Sequence, residues 1–109
     1  MAETFKNAKL ALTTSSATIY TCPSATTTIV LMVQVANIDG TNAADASISW
    51  TDSSDSATET FLAKTVSVPA DSSLGILSGK MVLETGDTLK GLASADSDLA
   101  VTVSVLEIS

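Results

Sequence analysis

The sequence predicts an all-β protein, an antiparallel β-sandwich of about eight strands, and three observations carry that expectation. The apolar periodicity is mostly two, and turn signals interrupt it at about the 8–12-residue spacing of a sandwich or barrel. The composition is 45% hydrophobic but only 4% aromatic, so β-branched and small aliphatic side chains supply the interior. Such side chains fit a pleated surface and restrict a helix at χ1. No segment combines helical periodicity with caps. At 109 residues one core suffices, and residues 1–109 are expected to form a single domain.

The elements follow in order. Residues 4–12 read as a weak strand, so the segment 1–14 is expected to be an edge strand or an N-terminal arm. After "TTSS", a short strand over residues 17–22 stops at Pro23, which cannot donate to a ladder. "TTIVLMVQVANI", residues 27–38, is the strongest strand: Ile29, Leu31, Val33 and Val35 alternate onto one face, and Val30 and Met32 make the other face apolar too, which predicts a central position. "NIDG" supplies a turn in which Gly40 follows Asp39. "DASISWTD" alternates cleanly, with Ala46, Ile48 and Trp50 inward and Ser47, Ser49 and Thr51 outward.

"SSDS" then turns the chain into "ATETFLAKTVSVPA", where Leu62, Val66 and Val68 share a side but Phe61 does not, so a bulge or a second contact is expected. "LGILSGKMVLE", a "TGD" turn, "TLKGLAS", the acidic loop "ADSD" and the closing strand "LAVTVSVLEI" complete the chain. In that last strand Leu99, Val101, Val103 and Val105 share a face. The expected topology is jelly-roll or immunoglobulin-like.

Twelve acids oppose five bases for a net charge of −7, and no histidine is present. Phosphate binding rests on clustered Lys and Arg that release counterions, so nucleic acid and an anionic membrane are both excluded as expected partners. No run approaches the length of a membrane helix and the N-terminal stretch lacks a signal-peptide core, so a soluble chain is expected. Without histidine, neither a Ser-His-Asp nor a Cys-His arrangement can form within the chain. Cys22, the only cysteine, lies in an apolar strand and is expected to be a packed thiol. No catalytic residue, cofactor-binding residue or metal ligand is assigned, no cofactor is expected, and the protein is expected not to be an enzyme.

The acidic stretches have simpler uses. Asp52, Asp55 and Glu59 lie in one serine-rich stretch and Asp96 and Asp98 in another; neither has the spacing of an EF-hand loop, and both fit solvated turns, with calcium binding through their carboxylates as the alternative. In "VLETGDTLKG", Glu84 ends an apolar strand, Gly86 permits the reversal and Asp87 can bond neighbouring backbone, so a turn accounts for every residue. Trp50 is inward by alternation. Phe5, Tyr20 and Phe61 have no settled place inside and are the candidates for contacts with another subunit.

Two long stretches, "TIYTCPSATTTIVLMVQVANIDGTNAADASISWTD" and "VSVPADSSLGILSGKMVLETGDTLKGLASADSDLAVTVSVLEIS", resemble small β-sandwich virion structural proteins of tailed bacteriophages, of the head decoration type. The matching motifs fall at Tyr20 to Pro23, Asn37 to Gly40, Val68 to Leu74, Leu83 to Leu89 and Leu106 to Ile108. They are strand and turn grammar and carry no active site. The resemblance implies a capsid decoration protein on the virion exterior, made in the host cytoplasm, that binds the major capsid protein or other virion proteins and stabilises the assembled head. It also implies a homo-oligomer, with a trimer preferred from the role. A neck or tail accessory protein and a glycan or host-surface binding module are the alternatives.

Overall fold

In the computed structural model, which describes residues 2–109, the chain forms nine strands: β1 (Glu3–Ala11), β2 (Ala17–Thr21), β3 (Thr27–Asn37), β4 (Ala44–Asp52), β5 (Thr58–Val68), β6 (Ser73–Gly75), β7 (Met81–Leu83), β8 (Thr88–Ala93) and β9 (Leu99–Ile108). They make an all-β sandwich of two antiparallel sheets. One has the order β1-β9-β3-β6, with β7 also on β3; the other has the order β2-β8-β4-β5. β7 pairs with Thr28–Val30 and β6 with Gln34–Ala36, so together they occupy one strand position, interrupted at residues 76–80. That break accounts for nine strands where eight positions exist. The chain passes repeatedly from one sheet to the other, and the resulting order is that of a jelly roll, which decides between the two expected topologies.

β3 is central, as its two apolar faces require: β9 pairs along one side, and β6 and β7 pair along the other. Its inward residues differ from strict alternation. Val30 faces Val105 but Met32 faces Ser104, so Leu31 is an extra residue in a bulge. The buried set is therefore Thr28 and Val30, then Val33, Val35 and Asn37, while Ile29, Leu31 and Met32 are only half-buried. One inserted residue exchanges the faces of everything beyond it.

A second bulge lies in β2, where Thr18 pairs with Lys90 but Tyr20 with Leu89. Ile19 is the extra residue, and both Ile19 and Tyr20 turn inward. β5 carries two more, because Ser47 alone faces Lys64 and Thr65, and Leu62 has no partner between Ala63 and Phe61. Thr65 takes φ 55°, a costly conformation for a β-branched residue. The Ser47 hydroxyl accepts the Thr65 N–H at 2.9 Å and helps to hold it there.

β4 and β9 follow their sequence alternation. Leu99, Val101, Val103 and Val105 are at most 1% exposed, and Ala46 and Ile48 are fully buried; Trp50 packs against this core. Ser47, Ser49 and Thr51 face outward as expected, yet they too are buried, because longer side chains flank them. Ser49 lies between Lys90 and Phe61 and donates to Glu59. Each buried Leu, Ile or Val contributes about 1.5–3 kcal/mol, so the rows that line the interior dominate the stability.

β1 is an edge strand that pairs in full with β9; Met1, the first residue of the segment 1–14, lies outside the described residues. Ala2 and Ser109 exchange both backbone hydrogen bonds, at 2.8 and 2.9 Å, and Leu12 donates to Leu99 at 2.9 Å. Since hydrogen-bonded pairs alternate in an antiparallel ladder, the even-numbered residues of β1 bond to β9. Glu3, Phe5, Asn7, Lys9 and Ala11 point their N–H and C=O groups away from it.

Candidate functional site

The sheet that contains β1 has an outer face with a definite chemical pattern. Direct pairing sets Phe5 of β1 beside Leu106 of β9, Leu106 beside Ile29 of β3, and Ile29 beside Val82 of β7. These residues form an apolar row across four strands. Phe5 is 73% exposed and Val82 57%. Asn7, Ser104 and Met32 form the next row, and Lys9, Thr102, Gln34 and Gly75 another; Ala11, Ala100, Ala36 and Ser73 close the far end. The Ser104 hydroxyl donates to Asn7 Oδ1 at 2.7 Å.

Only Lys9 is charged within those rows, and Glu3 lies just beyond them beside Ile108, although the whole chain carries −7. The acids gather elsewhere, mostly in loops, where several have a local use. Asp52 accepts from the Ser54 N–H and hydroxyl, and Asp96 from the Thr14 N–H. The Thr41 N–H is the main influence that holds Asp39 below the usual carboxylate range. Partial desolvation and then the Asp39 charge push the neighbouring Asp98 up. Among the described residues, no three His, Cys, Asp or Glu side chains converge as metal ligands.

Asp87 is buried, with 2% exposure, and it organises the turn that the sequence predicts. Its Oδ2 accepts the Glu84 N–H at 2.9 Å, and its Oδ1 accepts the N–H and hydroxyl of Ser53 at 2.9 and 3.1 Å. It thus bonds an upstream residue and a distant loop, while Glu84 stays exposed and Gly86 takes φ 87°.

A polar chain crosses the sandwich interior at the same end. Lys6 Nζ lies 3.0 Å from Glu107 Oε1, the Tyr20 hydroxyl donates to Glu107 Oε2 at 2.6 Å and sits 2.8 Å from Thr28 Oγ1, and Thr28 donates to Cys22 Sγ at 3.2 Å. The Tyr20 hydrogen bond, followed by Lys6, holds the Glu107 carboxyl below its ordinary 4.5. Burial, followed by Glu107, raises the Tyr20 hydroxyl above its ordinary 10.0. Cys22 is 1% exposed, the packed thiol that the sequence predicts. The buried polar atoms of this group all have partners, so it joins β1, β2, β3 and β9.

The three aromatic candidates do not converge. Phe5 stands on the apolar row. Phe61 lies opposite Ser49 on the outer face of the other sheet, 40% exposed, with Lys64 Nζ 5.0 Å from its ring centre. Tyr20 has the inward place that alternation denied it, through the Ile19 bulge. Leu106, Ile29 and Val82 complete the row around Phe5, and the cue for them is register, which only the pairing of four strands reveals. Two open depressions follow β1 and β9, one lined by Asn7, Ala8, Lys9, Thr102 and Ser104 and the other by Leu10, Ala11, Ala100 and Val101 with Lys9 and Thr102; Lys9 is the sole titratable side chain in either.

No protein-family model matches the chain, and no curated protein matches it. Solved structures share its fold. A chain of the disulfide-linked pili that form Bacillus endospore appendages is 14% identical, with a TM-score of 0.58, and the match covers 99% of this chain and 87% of that one. A chain from the acid-stable capsid of Helicobacter pylori bacteriophage KHP30 is 11% identical, with a TM-score of 0.57, over 100% of this chain and 94% of that one. The Drosophila NLP-core, described for its pentamer formation and histone binding, is 8% identical, with a TM-score of 0.58, over 97% and 99%.

Proposed function

We propose that this protein is a virion structural protein of a bacteriophage, most specifically a decoration protein that docks on the exterior of the assembled head and stabilises it without turnover. The observation that carries the proposal is the outer face of the β1-β9-β3 sheet. Its apolar row, Phe5, Leu106, Ile29 and Val82, is nearly free of charge on a strongly acidic chain. Desolvating such a face costs little, and burying it against a shell contributes about 25 cal/mol per Å² of apolar area. The acidic loops meanwhile keep the free chain soluble.

The bacteriophage capsid chain of nearly equal length supports this reading, and so does the resemblance of the sequence motifs to head decoration proteins. Residues 1–109 act here as one unit. Phe61 and the exposed part of Tyr20, on the two edges of the second sheet, serve further subunit contacts. On the shell the chain is homo-oligomeric, with three copies meeting where three shell subunits meet.

The test is co-sedimentation of purified protein with heads assembled in its absence. Wild-type protein is expected to pellet with heads, whereas Phe5→Asp/Val82→Asp, with an unchanged melting temperature, stays in the supernatant. Equal pelleting of both proteins would remove the docking face from the proposal. Binding at a dozen or fewer copies per particle would move the protein to the neck or tail.

A further inference from the structure

The four outer edges of this sandwich are not alike. β5 is kinked by two bulges, β2 carries a bulge at Ile19, and the β6/β7 edge is broken in two. Bulges and short strands are the usual means of blunting an edge against further pairing. β1 has neither device: its nine residues run in unbroken register with β9. The backbone groups of Glu3, Phe5, Asn7, Lys9 and Ala11 are directed to the open side, and all five residues are exposed.

We propose that this edge pairs with the β1 edge of a second copy, antiparallel and centred on Asn7. The sequence of the strand selects the occupant and the register. Pairing about Asn7 sets Glu3 opposite Ala11, Phe5 opposite Lys9, and Asn7 opposite its own counterpart, so every outward-directed group meets another and about ten hydrogen bonds close. On the outer face, each Lys9 then lies directly across from the other copy's Phe5 and diagonally across from its Glu3. Both neighbours attract an ammonium, and no like charges are neighbours on that face; on the inner face Lys6 lies diagonally across from its counterpart, each ammonium paired with its own Glu107. The strand is complementary to itself.

The dyad stands perpendicular to the sheet, so the two apolar rows look the same way. A shell would then meet both docking faces of a pair at once, and avidity would strengthen a weak single contact. The contact itself belongs to the small, weak class of interfaces. It forms in free solution and does not depend on the docking proposal.

Sedimentation of the full chain from about 1 µM to about 1 mM tests the contact. Wild-type mass is expected to rise from 11.1 kDa toward twice that value. Asn7→Pro removes an outward-directed N–H and the exposed side-chain bond from Ser104 but no ladder bond to β9, and is expected to raise the dissociation constant at least about tenfold, with its circular dichroism unchanged. Lys9→Glu is expected to weaken the dimer similarly, and Glu3→Lys combined with Lys9→Glu to restore it. A wild-type monomer throughout the range overturns the proposal, as does a dimer indifferent to both Asn7→Pro and Lys9→Glu. Loss of the dimer with head binding retained by Phe5 and Val82 separates this contact from the docking face.

Discussion

Gly91 and Gly75 are both strand glycines, and replacing each by alanine is expected to change stability in opposite directions. A Cβ at Gly91 would lie 2.9 Å from Leu12 Cδ2, 3.0 Å from Ile48 Cδ1 and 3.2 Å from Ile19 Cδ1. These three side chains come from different parts of the chain and are themselves buried, so the methyl group has no free direction. Overpacking a tight core costs about 1–3 kcal/mol, and the loss of unfolded-chain freedom returns about 0.4–1 kcal/mol. The net expectation is a loss of roughly 1–2 kcal/mol, or about 5–15 °C in melting temperature for a chain of this size.

At Gly75 nothing lies within 4 Å of the added Cβ, and only the favourable entropy remains. Gly75→Ala should therefore raise the melting temperature by roughly 2–6 °C. Thermal unfolding followed by circular dichroism measures both variants. A Gly91→Ala protein as stable as its parent, or two variants shifting in the same direction, would refute the packing assigned around Gly91.

Two further outcomes concern the buried acids. Asp87→Ala leaves the Glu84 and Ser53 donors without their acceptor and is expected to cost about 2–4 kcal/mol, with Asp87→Asn in between; an unchanged urea midpoint would mean that the turn holds itself. Glu107 has a depressed pKa in the folded chain, so its contribution is complete above 4.5 and is lost as pH falls below that value toward the folded pKa. Glu107→Gln should lower stability at neutral pH and flatten the acid side of the melting-temperature profile, and a profile parallel to wild type would count against the network.

The legible parts of the fold are those in which alternation runs uninterrupted. Ala46, Ile48 and Trp50 in β4, and Leu99 to Val105 in β9, sit where period two places them, and the Asp39-Gly40 and Thr85-Gly86 turns fall at their glycines. The bulges at Leu31 and Ile19 are invisible, because each inserts an ordinary aliphatic residue into an apolar run with no Gly or Pro to mark it. Tyr20 and Glu107 illustrate the second limit. Their hydrogen bond spans 87 residues: alternation in β9 turns Glu107 inward, but the partner that satisfies it there, brought in by the Ile19 bulge, does not follow from its neighbours. The apolar row is half legible: Phe5 stands out as an aromatic in a polar strand, whereas Leu106, Ile29 and Val82 join it only through strand order.

The pairing of β1 with β9 has a consequence for synthesis. β1 leaves the ribosome before every other strand of the sandwich, and its only ladder partner leaves after all of them. Throughout translation both of its sides are therefore unsatisfied, and closure waits on the longest loop that the fold contains, a slow step for any chain. Glu3, Lys6 and Lys9 keep that waiting segment charged and hydrated. They hold it in solution until Leu99 to Ile108 arrive and fasten it.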